Sequence, residues 1–199
     1  MTSELEKAEL EVACQQILER DASVYSVQWL ELPERYAAQL GAPLLLERYL
    51  KFIRARTCHL IRPTVNADGI QFRLLASSVA LLSFAPPRYS ALQDGEDVTL
   101  AISGGCLVQA GECDRGMFSL ASARLEGRVR VTVQLSDYCP LLLGSGNPSV
   151  LRRLLYRFTQ AYIHKVVTVK YLGALYRELT GQKACTKVKK VRVREGIDT

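Results

Sequence analysis

Several things are scarce or missing from this 199-residue chain, and each absence narrows what it can be. No apolar run approaches the roughly 18 residues that a membrane-crossing helix needs. The longest candidate, residues 74–84, is interrupted by Ser77, Ser78 and Ser83. The first residues are acidic, with no basic stretch ahead of an apolar one, so the pattern is not that of a signal peptide and implies a cytoplasmic location. Histidine occurs only as His59 and His164, and neither C-x-x-C nor H-x-x-x-H spacing is present. That excludes the common zinc patterns, and no metal or other cofactor is expected. The glycine pairs are equally uninformative: Gly104-Gly105 opens no helix, so it is not a phosphate-cradling loop. No nucleophile stands beside a histidine and an acid, which makes a binding protein a better reading than an enzyme.

Acidic side chains are also unevenly missing. Residues 148–199 hold twelve Lys/Arg against three Asp/Glu, a net +9, whereas residues 1–147 hold fourteen against seventeen, a net −3. All of the overall +6 charge therefore sits in the C-terminal quarter. Such asymmetry points to an anionic partner, either nucleic acid or an anionic membrane surface. Lys187, Lys189, Lys190, Arg192 and Arg194, within a 183–199 basic tail, are the candidate anion-binding residues. The same tail also reads as an edge strand guarded by lysines. It lacks aromatic residues for stacking on bases. The six cysteines, Cys14, Cys58, Cys106, Cys113, Cys139 and Cys185, are scattered and are expected to be reduced thiols.

What is present describes one α+β domain over residues 1–182, with N-terminal helices, an antiparallel meander sheet and one long C-terminal helix packed on that sheet. Ser3 followed by Glu6 suits a capping box, and apolar residues at roughly helical spacing predict a helix over residues 4–20. A strand follows at 23–30, rich in Val, Tyr and Trp. Pro33 and Gly41 bracket a short helix, and a second begins near Pro43 with Leu45, Leu46, Tyr49, Leu50 and Ile53 on one face. Residues 58–62 read as a strand, and 70–84 as one bent strand or two. Residues 98–108, 116–125 and 128–135 read as a three-stranded meander, its last member alternating Val129, Val131, Val133 and Leu135 with polar partners. Asn147 and Pro148 open a helix that Gly181 closes. Its 33 residues would extend about 50 Å.

Placed at 100° per residue, this helix carries an apolar stripe through Leu155, Tyr162, Val166, Val169, Leu172 and Tyr176, the expected core face. The opposite side is mixed. It holds Tyr156, Ile163, Val167, Tyr171 and Leu175 among Arg157, Gln160, His164 and Thr168. A helix apolar on two sides is covered on two sides: by more of its own fold, by a second copy of the chain, or by a ligand. The strands are rich in small residues such as Ala101, Ser103, Ala121 and Ser122, which either admit a closely packed helix or leave room for a small molecule. An antiparallel sheet gripping one long C-terminal helix resembles the helix-grip architecture of START-like lipid-binding domains, at the level of fold alone. The resulting expectation is a domain that binds an apolar or lipid-like small molecule between sheet and helix, with Arg157, Gln160, His164 and Tyr138 as ligand-binding residues. A homodimer through the long helix is the other expected way of covering the mixed face.

Overall fold

The computed structural model describes residues 9–109, 111, 115–144, 151 and 161–198. Its first element overturns the predicted N-terminal helix: Glu9–Leu18 is a strand, β1, paired antiparallel with β2 (Val24–Pro33). The reason lies in the alternation. Leu10, Val12 and Leu18 point into the main core, while Ile17 packs with Tyr25 and Val27 on the other face of the sheet. Both faces of β1 are covered, so its period of two is hidden beneath an almost continuous buried run.

A 3-10 turn (Glu34–Gln39) and α1 (Ala42–Arg56) follow, with Pro43 in the first helical turn as its preorganised φ favours. The Glu96 carboxylate accepts a hydrogen bond from the Ala42 N–H at 3.0 Å, which places a negative charge at the positive end of the helix. The strand expected at 58–62 begins later. Cys58 and His59 instead form a turn with positive φ (49° and 61°), and β3 occupies Ile61–Asn66. Residues 70–84 resolve into two strands, β4 (Gly69–Leu74) and β5 (Ala80–Phe84). Next come β6 (Arg88–Leu92) and the meander of β7 (Gly95–Gly104), β8 (Met117–Leu125) and β9 (Arg128–Tyr138). The chain ends with α2 (Tyr162–Thr180), β10 (Cys185–Lys190) and β11 (Ile197–Asp198).

The described strands make one sheet in the order β10-β1-β2-β9-β8-β7-β5-β4-β3, with β6 also on β7 and β11 also on β1. All pairings are antiparallel except β1 with β10, which is parallel. The fold is thus α+β, with a large, mostly antiparallel sheet and a C-terminal helix packed on it. No helix among the described residues is long and apolar enough to cross a membrane.

Of the predicted 148–180 helix, the described part is α2. Gly181 ends it in the left-handed region (φ 71°), its N–H bonding the Arg177 carbonyl at 2.9 Å. The face buried against the sheet combines Leu172 of the expected stripe with Thr168, Tyr171 and Leu175 of the mixed one. Tyr162 remains 60% exposed, while Thr168, Tyr171, Leu172 and Leu175 are buried. The mixed face turns inward because α1 and the sheet offer a fitted seat to its aromatic member. The Tyr171 hydroxyl donates to the Leu45 carbonyl at 3.0 Å. Its ring meets Tyr49 edge-on at 5.1 Å and Phe52 at 5.6 Å. Each such aromatic pair adds about 0.5–1.5 kcal/mol beyond area burial.

Candidate functional site

Turning the mixed face inward carries polar groups into the interior. Along β2, Val24, Ser26, Gln28, Leu30 and Leu32 alternate toward the helices, so two polar side chains occupy core positions, each completely buried. Across from them on β1, Cys14 pairs with Gln28 and Gln16 with Ser26. The four form a contiguous polar patch on an otherwise apolar sheet face. Above it lies the start of α2: the Gln16 Nε2 donates to the Ala161 carbonyl at 3.2 Å, and His164 and Thr168 follow one turn apart.

Part of this patch is internally satisfied. The Gln28 amide donates to the Ser26 Oγ at 2.7 Å and lies 3.7 Å from the Cys14 Sγ. Among the described residues, three enclosed atoms have no hydrogen-bond partner: Gln28 Oε1, His164 Nε2 and Thr168 Oγ1. An unsatisfied buried polar group costs about 1–3 kcal/mol, so a partner supplied to any of the three would be stabilising. They offer an acceptor, a ring nitrogen that donates or accepts according to tautomer, and a hydroxyl that does both.

Electrostatically the patch is neutral. Burial pushes the His164 imidazole down to about 4, so it is uncharged at physiological pH. Burial likewise raises the Cys14 thiol, outweighing Lys165, the Gln28 amide and Lys190, which act to lower it. A thiol held protonated in this way is not a nucleophile. The arrangement can hydrogen-bond a neutral polar group.

The sheet edge has an opening here. β10 pairs with β1 through Cys14, and β11 resumes only at Ile17. Between them a cavity of about 40 Å³ is lined by Cys14, Gln15, Gln16, Lys165, Lys190, Val191 and Asp198. A bulge on β9 adjoins the patch on its other side, where the register shifts between Val24 and Ser26 and Asp137 adopts φ 53°. Bulges commonly re-aim side chains beside functional sites.

Of the residues expected at the ligand site, His164 is in this cluster. Tyr138 is buried, but its hydroxyl is engaged with the Leu107 carbonyl at 2.8 Å, where it braces a neighbouring loop. Arg157 and Gln160 lie outside the described residues. The basic tail is a sheet element whose cations face acids. Lys187 pairs with Glu9 (3.6 Å), Lys189 with Glu11 (3.0 Å), Lys190 with Asp198 (3.8 Å) and Arg192 with Glu195 (3.4 Å). Arg194 pairs with Glu19 at 3.4 Å and sits 4.1 Å above the Tyr25 ring. The Gln15 side chain fixes residues 193 and 194 through their backbone. Cys14, Cys58, Cys106 and Cys185 are free thiols, but Cys139 is disulfide-bonded, which departs from the wholly reduced set expected.

Cys14, Gln16, Ser26, Gln28 and Thr168 were not singled out by sequence reasoning. The signal that finds them is polar residues at core-facing register, as in Val24-x-Ser26-x-Gln28-x-Leu30. Its partners Cys14 and Gln16 become visible only once β1 is read as a strand. No protein family and no curated protein matches the sequence. A solved structure that the chain resembles is that of CalU16 from Micromonospora echinospora, with 10% identity over 85% of each chain and a TM-score of 0.36, too loose a likeness to assign fold or function.

Proposed function

We propose that this protein is a non-enzymatic binding domain that holds a small molecule between the inner face of its sheet and its long C-terminal helix. The ligand's neutral polar group would meet Gln28, His164 and Thr168. Its apolar part would lie along the small and aliphatic side chains of the same interface. The observation that carries this reading is the set of three enclosed polar atoms, one on β2 and two on α2, with no hydrogen-bond partner among the described residues. Such groups are ordinarily satisfied, and a ligand that supplies the missing partners gains the full value of hydrogen bonds made away from water. The protonated Cys14 and neutral His164 favour binding over catalysis.

Native mass spectrometry of the purified protein, with solvent extraction of what it carries, tests the proposal. A stoichiometric small molecule should accompany the wild type and be reduced or absent in Gln28→Leu and His164→Phe variants that still fold. Identical ligand content in all three would refute the site, and a wild type that retains and takes up no small molecule would refute the function.

A further inference from the structure

The cations assigned to anion binding by composition are neutralised within the fold, whereas a different group is not. Arg56 at the end of α1, Lys170 and Arg177 on the outer side of α2, and Lys183 just before β10 line one open concavity of about 310 Å³. Its remaining lining is Gly173, Ala174, Ala184 and Thr186, with no acid. All four cations are exposed, and none of them makes an ion pair among the described residues.

We propose that this concavity is a binding site for a compact anion bearing more than one phosphate. Lys170, Gly173, Ala174 and Arg177 stand at i, i+3, i+4 and i+7, a single stripe along the helix. Two small residues between two long cationic arms make a saddle, with the arms rooted about 10 Å apart along the axis. Arg56 and Lys183 close it from the flanks. Gly173 also allows β10 to approach, since a side chain there would come within 3.0 Å of the Thr186 Oγ1. That hydroxyl consequently borders the saddle as a neutral donor. Arginine forks and a lysine point charge are the groups that recognise phosphate oxygens. The size of the concavity suits a small molecule or headgroup. The absence of aromatic side chains in its lining disfavours stacked nucleic-acid bases.

This site is separate from the buried patch and does not depend on it. Calorimetric titration with inorganic pyrophosphate and with inositol hexakisphosphate tests it for a soluble anion. Co-sedimentation with phosphatidylcholine vesicles, with and without phosphatidylinositol bisphosphate, tests it for a lipid headgroup. Binding of either kind is expected, and which arm responds identifies the source of the phosphates. A Lys170→Ala/Arg177→Ala double variant should bind about thirtyfold more weakly, since each cation near a dense anionic charge contributes about 1 kcal/mol. Lys187→Ala/Lys189→Ala, which removes cations already paired to acids, should stay within about twofold of wild type, as exposed pairs contribute little. Absence of binding to every probe, equal losses in the two double variants, or binding confined to polynucleotides would overturn the proposal.

Discussion

Replacing Thr168 with valine keeps the branched shape at Cβ and removes one hydroxyl. In most helices that exchange is destabilising or neutral, because a threonine hydroxyl bonds a carbonyl one turn back or meets water. Here Thr168 is completely buried and its Oγ1 has no partner among the described residues. A buried, unpaired polar group carries a desolvation penalty of about 1–3 kcal/mol, and an apolar group of the same shape removes it. The helix propensities of the two residues are close, so the backbone contributes little to the difference. Thr168→Val should therefore stabilise the ligand-free protein by about 1–2 kcal/mol. For a chain of this length that corresponds to a rise of roughly 2–8 °C in Tm, at about 2–4 °C per kcal/mol. The assay is thermal and urea unfolding followed by circular dichroism, on protein from which bound small molecules have been extracted. Adding the extract back should raise the Tm of the wild type more than that of the variant, because only the wild type offers the hydroxyl. A fall in Tm of the extracted variant would show that Thr168 Oγ1 is satisfied in the empty protein, and the reasoning behind the polar patch would fail with it.

Three further outcomes follow from the same geometry. His164 titrates near 4 in the folded protein against about 6.5 unfolded, so the neutral ring favours folding above pH 6.5 and this contribution is lost as pH falls toward 4. Stability should drop by about 2 kcal/mol between pH 7.5 and 5 through this residue, and urea titrations of His164→Gln should show a shallower pH dependence; equal slopes would refute the assignment. Tyr171→Phe removes the donor to the Leu45 carbonyl and should cost about 1 kcal/mol in the same unfolding assay, with no change meaning that the bond is not formed in solution. Gly95→Ala would drive a Cβ into the Ser122 carbonyl on the adjacent strand, so it should lower stability by more than the 1–3 kcal/mol typical of an overpacked core; a folded, equally stable variant would contradict the β7–β8 register.

The meander was readable from sequence because β9 is buried on one face and partly exposed on the other from Arg128 to Gln134, so its alternation shows. β1 was not readable, for the opposite reason. The residues folded over its outer face bury Ala13, Gln15 and Ile17, while the helix buries Cys14 and Gln16, so polar and apolar positions carry no clear period. The inward face of α2 was legible in part: Leu172 of the expected stripe is buried, but the same side includes Thr168 and the partly enclosed His164, which weaken the apolar stripe that a core face usually presents. The tail looked like a free basic arm because Glu9, Glu11 and Glu19, which neutralise it, lie more than 170 residues away in sequence. Those features that failed to show in the sequence, a doubly covered strand and polar residues at core register, are the ones that build the candidate site.

The parallel pairing of β10 with β1 also bears on how the chain matures. Glu9 meets Cys185, so the outer edge of one of the earliest strands stays unpaired until residues 185–190 have left the ribosome. A contact spanning most of the chain is slow to form, and an open strand edge recruits other strands meanwhile. Glutamates at positions 9 and 11 repel a second copy of the same edge yet attract the lysines of β10. The acidic edge of β1 is thus matched in charge to β10 and mismatched to a second copy of itself.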